Sequence, residues 1–318
     1  MSRKRGKARA RSRRRAKQLR TPAQAAETSK ELEVSIPNEY FHEVKIDVFY
    51  ESEKPTDDIL KKEPWYFGTG FFYRVDGQDF LVTARHILSA RTWRENAWRN
   101  DHQVAPNYIR IGVRGKTVDG GFNADSLPVY DIVLPLLDAD EKPLWLEHPT
   151  RRQHVDVAAL PLAGLVKTDS FHYLPIEPEP PLKEPRFWVT QDVFVVGYPL
   201  GLGHGYLWPL WIRGTVASEP AMYFTFKNDE YPMFLVDART RSGQSGSPVF
   251  LMRRHFADDR GNHALPRSRF VGVYSGRAND EAANPSNPLP ADLGFVWHAG
   301  EVDRICQGNV RANRDGAV

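Results

Sequence analysis

Residues 237–250 read Asp237-Ala-Arg-Thr-Arg-Ser-Gly-Gln-Ser-Gly-Ser-Pro-Val-Phe250, and the reading of the whole chain turns on Ser245 within it. A serine hydroxyl is a poor nucleophile at neutral pH. It needs a base to take its proton and fixed donors to hold the oxyanion it creates. Without a Cβ, Gly243 and Gly246 permit the tight, left-handed backbone that turns the N–H groups of Gly243 and Ser245 towards one point, an oxyanion hole. The same letters also suit a small-residue turn between two strands, so the stretch needs partners elsewhere in the chain.

Two segments supply them. The apolar run Phe80-Leu-Val-Thr-Ala84 leads into Arg85-His86, and Val155-Asp-Val-Ala-Ala-Leu160 carries one carboxylate in an otherwise apolar strand. An ionised aspartate in such a run costs several kcal/mol unless it is paired, and a histidine Nδ1–H is a suitable partner. The candidate triad is His86, Asp156 and Ser245, in that chain order. Asp131 competes with Asp156 because it too precedes an apolar run.

On these residues the chain resembles the trypsin-like serine peptidases of the chymotrypsin fold, whose triad runs in the same order. It is more similar to the disulfide-free bacterial branches (glutamyl endopeptidases, exfoliative toxins, high-temperature-requirement peptidases) than to the digestive enzymes. Gly68-Thr-Gly-Phe71, Thr83-Ala-Arg-His86, Asp156-Val-Ala-Ala-Leu160, Val195-Val-Gly-Tyr-Pro-Leu-Gly201 and Gly243-Gln-Ser-Gly-Ser-Pro248 carry the resemblance, over about residues 67–305. Two letters depart from the pattern: Arg85 stands where a small residue is usual, and Gln244 where Asp or Asn is. The resemblance implies an all-β fold of two six-stranded antiparallel β-barrels with the active-site cleft between them and a short C-terminal helix. It also implies a serine endopeptidase working through an acyl-enzyme. Gln244 motivates the alternative of a catalytically silent barrel used as a binding module, since a neutral amide cannot make the buried charge pair that locks this loop in many peptidases. The pocket for the side chain preceding the cut would be lined by Arg239, Thr240, Tyr274, Ser275 and Gly276. Arg239 or Arg241 either favours an acidic side chain there or faces solvent, and Tyr274 stands where glutamyl endopeptidases usually carry histidine.

Composition sets the bounds. A chain of 318 residues with 41% hydrophobic residues can bury an ample core, and its single cysteine, Cys306, excludes an intrachain disulfide and any multi-cysteine zinc site. A reducing compartment is therefore permitted, and the cytoplasm is the expected location, with organelle targeting by the basic N-terminus left open. No apolar run is long enough to suggest a membrane span. No histidine falls in a metal-binding pattern, so neither metal nor cofactor is expected. Residues 1–20 hold eleven of the 43 Lys and Arg and no acid, leaving 32 basic against 40 acidic side chains in the rest. Such a segment repels itself and suits contact with nucleic acid or another polyanion, a solvated tail, or a transit peptide.

The expected organisation is a basic tail and linker over 1–38, a first barrel with His86 and Asp156 over 39–174, a proline-rich crossover over 175–186, and a second barrel with Ser245 and the terminal helix over 187–318. Residues 44–50 alternate on a period of two, and Asp76-Gly77 between 71–75 and 80–83 is a strong hairpin signal that delivers His86 at a strand end. Further strands are expected at 108–113 and 130–136, with six short apolar strands in the second barrel and a last one at 293–297. Residues 94–107 read as a surface loop and 137–153 as an insertion. Glycine-rich 197–205 lacks the lysine and spacing of a phosphate loop, His154 reads as surface, and Trp208 and Trp211 read as core.

Overall fold

A computed structural model describes residues 42–51, 57–101, 103–115, 129–167, 171–178, 187–203, 208–253, 267–280 and 289–313. The basic tail, the linker to residue 38 and residues 179–186 of the proline-rich crossover lie outside them. All the described residues belong to one compact unit.

The first half is built on β1 (Glu43–Phe49), β2 (Tyr66–Val75), β3 (Gln78–Thr83), β4 (Tyr108–Gly115), β5 (Val129–Pro135), β6 (Leu146–Glu147), β7 (Ala158–Pro161) and β8 (Phe171–His172). The second uses β9 (Asp192–Gly197), β10 (Leu210–Val216), β11 (Phe224–Phe226), β12 (Asp229–Tyr231), β13 (Met233–Ala238), β14 (Pro248–Arg253), β15 (Arg267–Asp280) and β16 (Leu289–His298). Two helices, α1 (Arg85–Ser89) and α2 (Ala299–Gly308), and a short last strand, β17 (Val310–Arg311), complete the elements. The fold is all-β with a short C-terminal helix, as expected. The second half is a closed six-stranded barrel in the order β10-β13-β16-β15-β14-β9.

The first half carries the six expected strands, in the order β7-β3-β2-β1-β4-β5, within a wider sheet. It is a nine-stranded sheet, β17-β6-β7-β3-β2-β1-β4-β5 with β8 paired to β4, and among the described residues its pairing does not close. The extra members are β6, β8 and β17, each two residues long, which is too short to carry a period in sequence. The hairpin at Asp76-Gly77 forms as read, with φ of 51° and 74°, the left-handed pair of a type I′ turn.

Burial explains why the central strands read as unbroken apolar runs. In β2, Phe71, Tyr73 and Val75 enter the large core cluster shared by both halves, while Phe72 between them enters the core of the first sheet. In β3, Phe80 and Val82 face the shared cluster and Leu81 the first core. Across the molecule, Phe250 of β14 and Trp297 of β16 face the shared cluster, whereas Val249, Leu251 and Val296 fill the barrel interior. Helix α2 adds Val302, Ile305 and Cys306 to the shared cluster from one face, at the i, i+3, i+4 spacing that helical geometry requires. Asn309 ends it in the left-handed conformation at φ 49°.

Because both faces of β2 are covered, Phe71→Ala and Phe72→Ala should each destabilise the protein by about 3–5 kcal/mol. Urea denaturation of the two variants checks this; a large loss for only one would mean that one face of β2 is open to solvent.

Candidate active site

β3 ends at Thr83, Ala84 holds extended backbone, and α1 begins at Arg85, so His86 stands on the first turn of a short helix rather than at a strand end. Asp156 lies just before β7 rather than inside it, and only 1% of it is exposed. Its two oxygens are both taken by His86. Oδ1 accepts the His86 backbone N–H at 2.9 Å, and Oδ2 accepts from Nδ1 at 2.7 Å. An ionised carboxylate can only accept, so Nδ1 carries the proton and Nε2 is left as a base. Burial pushes the His86 pKa below the ordinary 6.5, the Asp156 carboxylate opposes that, and the nearby Arg99 and Arg85 add to it. Asp131 is exposed on β5, and His154 is exposed as well.

Ser245 follows β13 in a turn that leads into β14. Its hydroxyl donates to the carbonyl of Ser275 at 2.9 Å. Ser245 and His86 nevertheless line one cavity of about 560 Å³, and Ser245 and Asp156 border a second of about 660 Å³. Neither the Gly243 nor the Ser245 N–H has an acceptor among the described residues. Their direction is set from behind. The Ser242 carbonyl accepts the Leu200 N–H at 2.6 Å and the Gln244 carbonyl accepts the Ser247 N–H at 3.0 Å, and in a trans peptide the N–H points away from the carbonyl. Each donor therefore points opposite to the bond that its own peptide's carbonyl makes.

Both glycines of the loop are required. Gly243 has φ of 95°, and a Cβ there would lie 2.4 Å from the Tyr198 carbonyl. Gly246 has φ of 90°, and a Cβ there would lie 2.1 Å from the Thr69 carbonyl. Gln244 is fully buried, and its Oε1 accepts the Arg241 backbone N–H at 2.9 Å. The loop is thus closed by a neutral amide where a charge pair was the alternative.

Thr69 is the residue that the sequence reading missed. It is fully buried on β2, its hydroxyl donates to the Gly243 carbonyl at 2.8 Å, and its N–H donates to the Ser245 carbonyl at 2.9 Å. The Gly68-Thr-Gly stretch pointed to this position but not to its grip on the serine loop.

Among the pocket candidates, Tyr274, Ser275 and Gly276 line the larger cavity. β14 pairs with β15 only as far as Val273, and the β15–β16 register slips between Tyr274 and Gly276, so Ser275 sits at a bulge on an edge that β14 no longer covers. Thr240 is buried behind Tyr274, their hydroxyls 2.6 Å apart. Arg239 is exposed and lines neither cavity, and Arg241 turns its Nη1 onto the Thr240 carbonyl at 2.7 Å. Trp211 packs against the shared cluster, and Trp208 lies under the Arg114 guanidinium at 3.8 Å. Among the described residues no cluster of His, Cys, Asp and Glu could hold a metal, and no helix is long and apolar enough to cross a membrane.

The family described as trypsin-like peptidase domain matches residues 68–255. Among solved structures, the inactive form of the Rv3671c protease is 18% identical, with 84% of this chain and 88% of that chain covered and a TM-score of 0.41. The active form of the same protease, from M. tuberculosis, is 18% identical over 85% of this chain and 81% of that chain, also at 0.41. No curated protein matches the chain.

Arg85, the first departure from the expected pattern, is 3% exposed and donates through Nε to Glu147 Oε1 at 2.6 Å, tying α1 to β6. Removing one partner of a buried pair strands the other charge, so Arg85→Ala should cost about 3–5 kcal/mol. Replacing both partners, with Arg85→Leu and Glu147→Leu together, should recover much of that loss. Denaturation of the single and double variants checks it, and equal losses in both would mean that the pair is not what holds α1.

Proposed function

The chain belongs to the trypsin-like peptidase family, and on that premise we propose that it is a serine endopeptidase whose triad is His86, Asp156 and Ser245. The observation that carries the proposal is the two-point clamp of Asp156 on His86, made in the same cleft as Ser245. The protein substrate would lie along the open edge of β15, adding a strand beside Ser275 and Gly276. The Ser245 hydroxyl then leaves the Ser275 carbonyl and gives its proton to His86 Nε2 as Oγ attacks the scissile carbonyl. Asp156 stabilises the imidazolium through Nδ1–H, and the N–H groups of Gly243 and Ser245 take the oxyanion. His86 passes the proton to the departing amine, and water hydrolyses the acyl-enzyme in the reverse sense.

A fluorophosphonate should attach covalently to Ser245 in the wild type and not in His86→Ala, and Ser245→Ala should lose roughly ten-thousandfold or more in peptide hydrolysis. Failure to label under any condition would favour a catalytically silent barrel that binds without cleaving.

The base acts when neutral, and its folded pKa is lowered, so activity should persist as pH falls through 6.5 and decline only below it. Arg99→Ala removes one of the charges that hold the pKa down. The acid limb of kcat/KM should therefore move to higher pH in that variant. A limb that stays put, or moves to lower pH, would mean that His86 is not the titrating base.

A further inference from the structure

The larger cavity, on the β15 side of Ser245, is unbalanced in charge. Arg94, Arg99, Lys227, Arg241 and Arg277 all line it, against Glu95 and Asp156. Both carboxylates are engaged. Asp156 is spent on His86, and Glu95 lies 3.2 Å from Arg94 Nη1. Arg241 is turned onto the Thr240 carbonyl. Lys227 Nζ lies over the Phe226 ring, 5.9 Å from its centroid, and the remaining two, Arg99 and Arg277, have guanidinium groups for which no hydrogen bond or ion pair is found among the described residues. Arg277 is half-buried on β15, two residues beyond Ser275, so its guanidinium is partly stripped of water with no anion to replace it among the described residues.

The wall behind it also has a donor to spare. The Tyr274 and Thr240 hydroxyls own two protons between them, and the bond that joins them uses one. Burial raises the Tyr274 pKa to about 12, so the phenol keeps its proton at neutral pH. A basic side chain entering here would meet like charges, and an apolar one would leave Arg277 unpaired.

Resting on the peptidase reading above, we infer that this half of the cleft selects substrates with an acidic side chain immediately before the scissile bond, with Arg277 as the carboxylate's partner and Arg99 adding to the field. A planar guanidinium matches a carboxylate in two parallel bonds, which a glutamine of the same shape cannot reproduce. Arg277 is then the specificity-determining residue of the reaction.

The test uses the full-length protein and four peptides that differ only in the residue before the cut: Glu, Gln, Phe or Lys. Expected is a kcat/KM for Glu above that for Gln by about tenfold or more, with Lys the poorest. Arg277→Gln should bring the Glu-to-Gln ratio towards one, and Arg277→Lys should restore part of it. A preference for Phe or Lys, or a Glu preference that Arg277→Gln leaves intact, would overturn the inference while the peptidase reading stands. Fluorophosphonate labelling of each variant separates the two failures. A labelled enzyme with the wrong preference removes only the specificity, whereas absence of both labelling and cleavage removes the peptidase reading and the specificity with it.

Discussion

One buried threonine side chain and its own peptide hold the serine loop to the other half of the molecule. Thr69 belongs to the first sheet, yet its hydroxyl and its N–H reach the carbonyls of Gly243 and Ser245 on the second. The same hydroxyl accepts the Tyr198 N–H at 3.1 Å, and the Thr69 carbonyl accepts from the Thr83 hydroxyl at 2.7 Å. Every polar atom of the residue is thereby engaged inside a site closed to water, where an unmade bond costs about 1–3 kcal/mol. Such a node leaves the loop few alternatives. Gly243 and Gly246 are then demanded by the closeness of the Tyr198 and Thr69 carbonyls rather than by the turn alone.

That grip works only because the two halves share a core. Phe71 and Tyr73, on the same strand as Thr69, pack with Phe270 across the boundary. Strands covered on both faces cannot slip register by one residue without exchanging two buried sets of side chains. The position of His86 relative to Ser245 is thus set by packing. The Asp156 clamp has only to orient the ring, and the Arg85–Glu147 pair to hold the start of α1.

Much of this was legible in the sequence. The long strands were readable because apolar runs and the Asp76-Gly77 turn announce themselves locally, and the three candidate catalytic residues because each breaks its surroundings: a carboxylate in an apolar run, a histidine after a strand, a serine between glycines. The two-residue strands β6, β8 and β17 were not, since two residues cannot show a period and their pairing is decided by distant partners. The reach of Arg277 into the cleft was hidden for the same reason. Arg239 and Arg241 stand closer to Ser245 in the chain, but one faces solvent and the other caps a carbonyl. Arg277, far from Ser245 in the chain, lines the cavity just beyond the bulge at Ser275.

The cations around the cleft serve two demands that usually compete. A general base beside a buried carboxylate tends to become too basic, and would then be protonated and idle at neutral pH; burial and the fields of Arg99 and Arg85 counter that pull on His86. In the free enzyme the imidazole therefore stays neutral and ready to accept. On the specificity proposed above, an anionic side chain arriving beside Arg99 would offset part of that positive field, and the His86 pKa would move up in the complex. The proposed base would then strengthen at the step where it takes the Ser245 proton. A neutral side chain would leave the field uncancelled and the base weaker, so on this proposal the charges that bind an acidic substrate would also favour its reaction over that of an uncharged one.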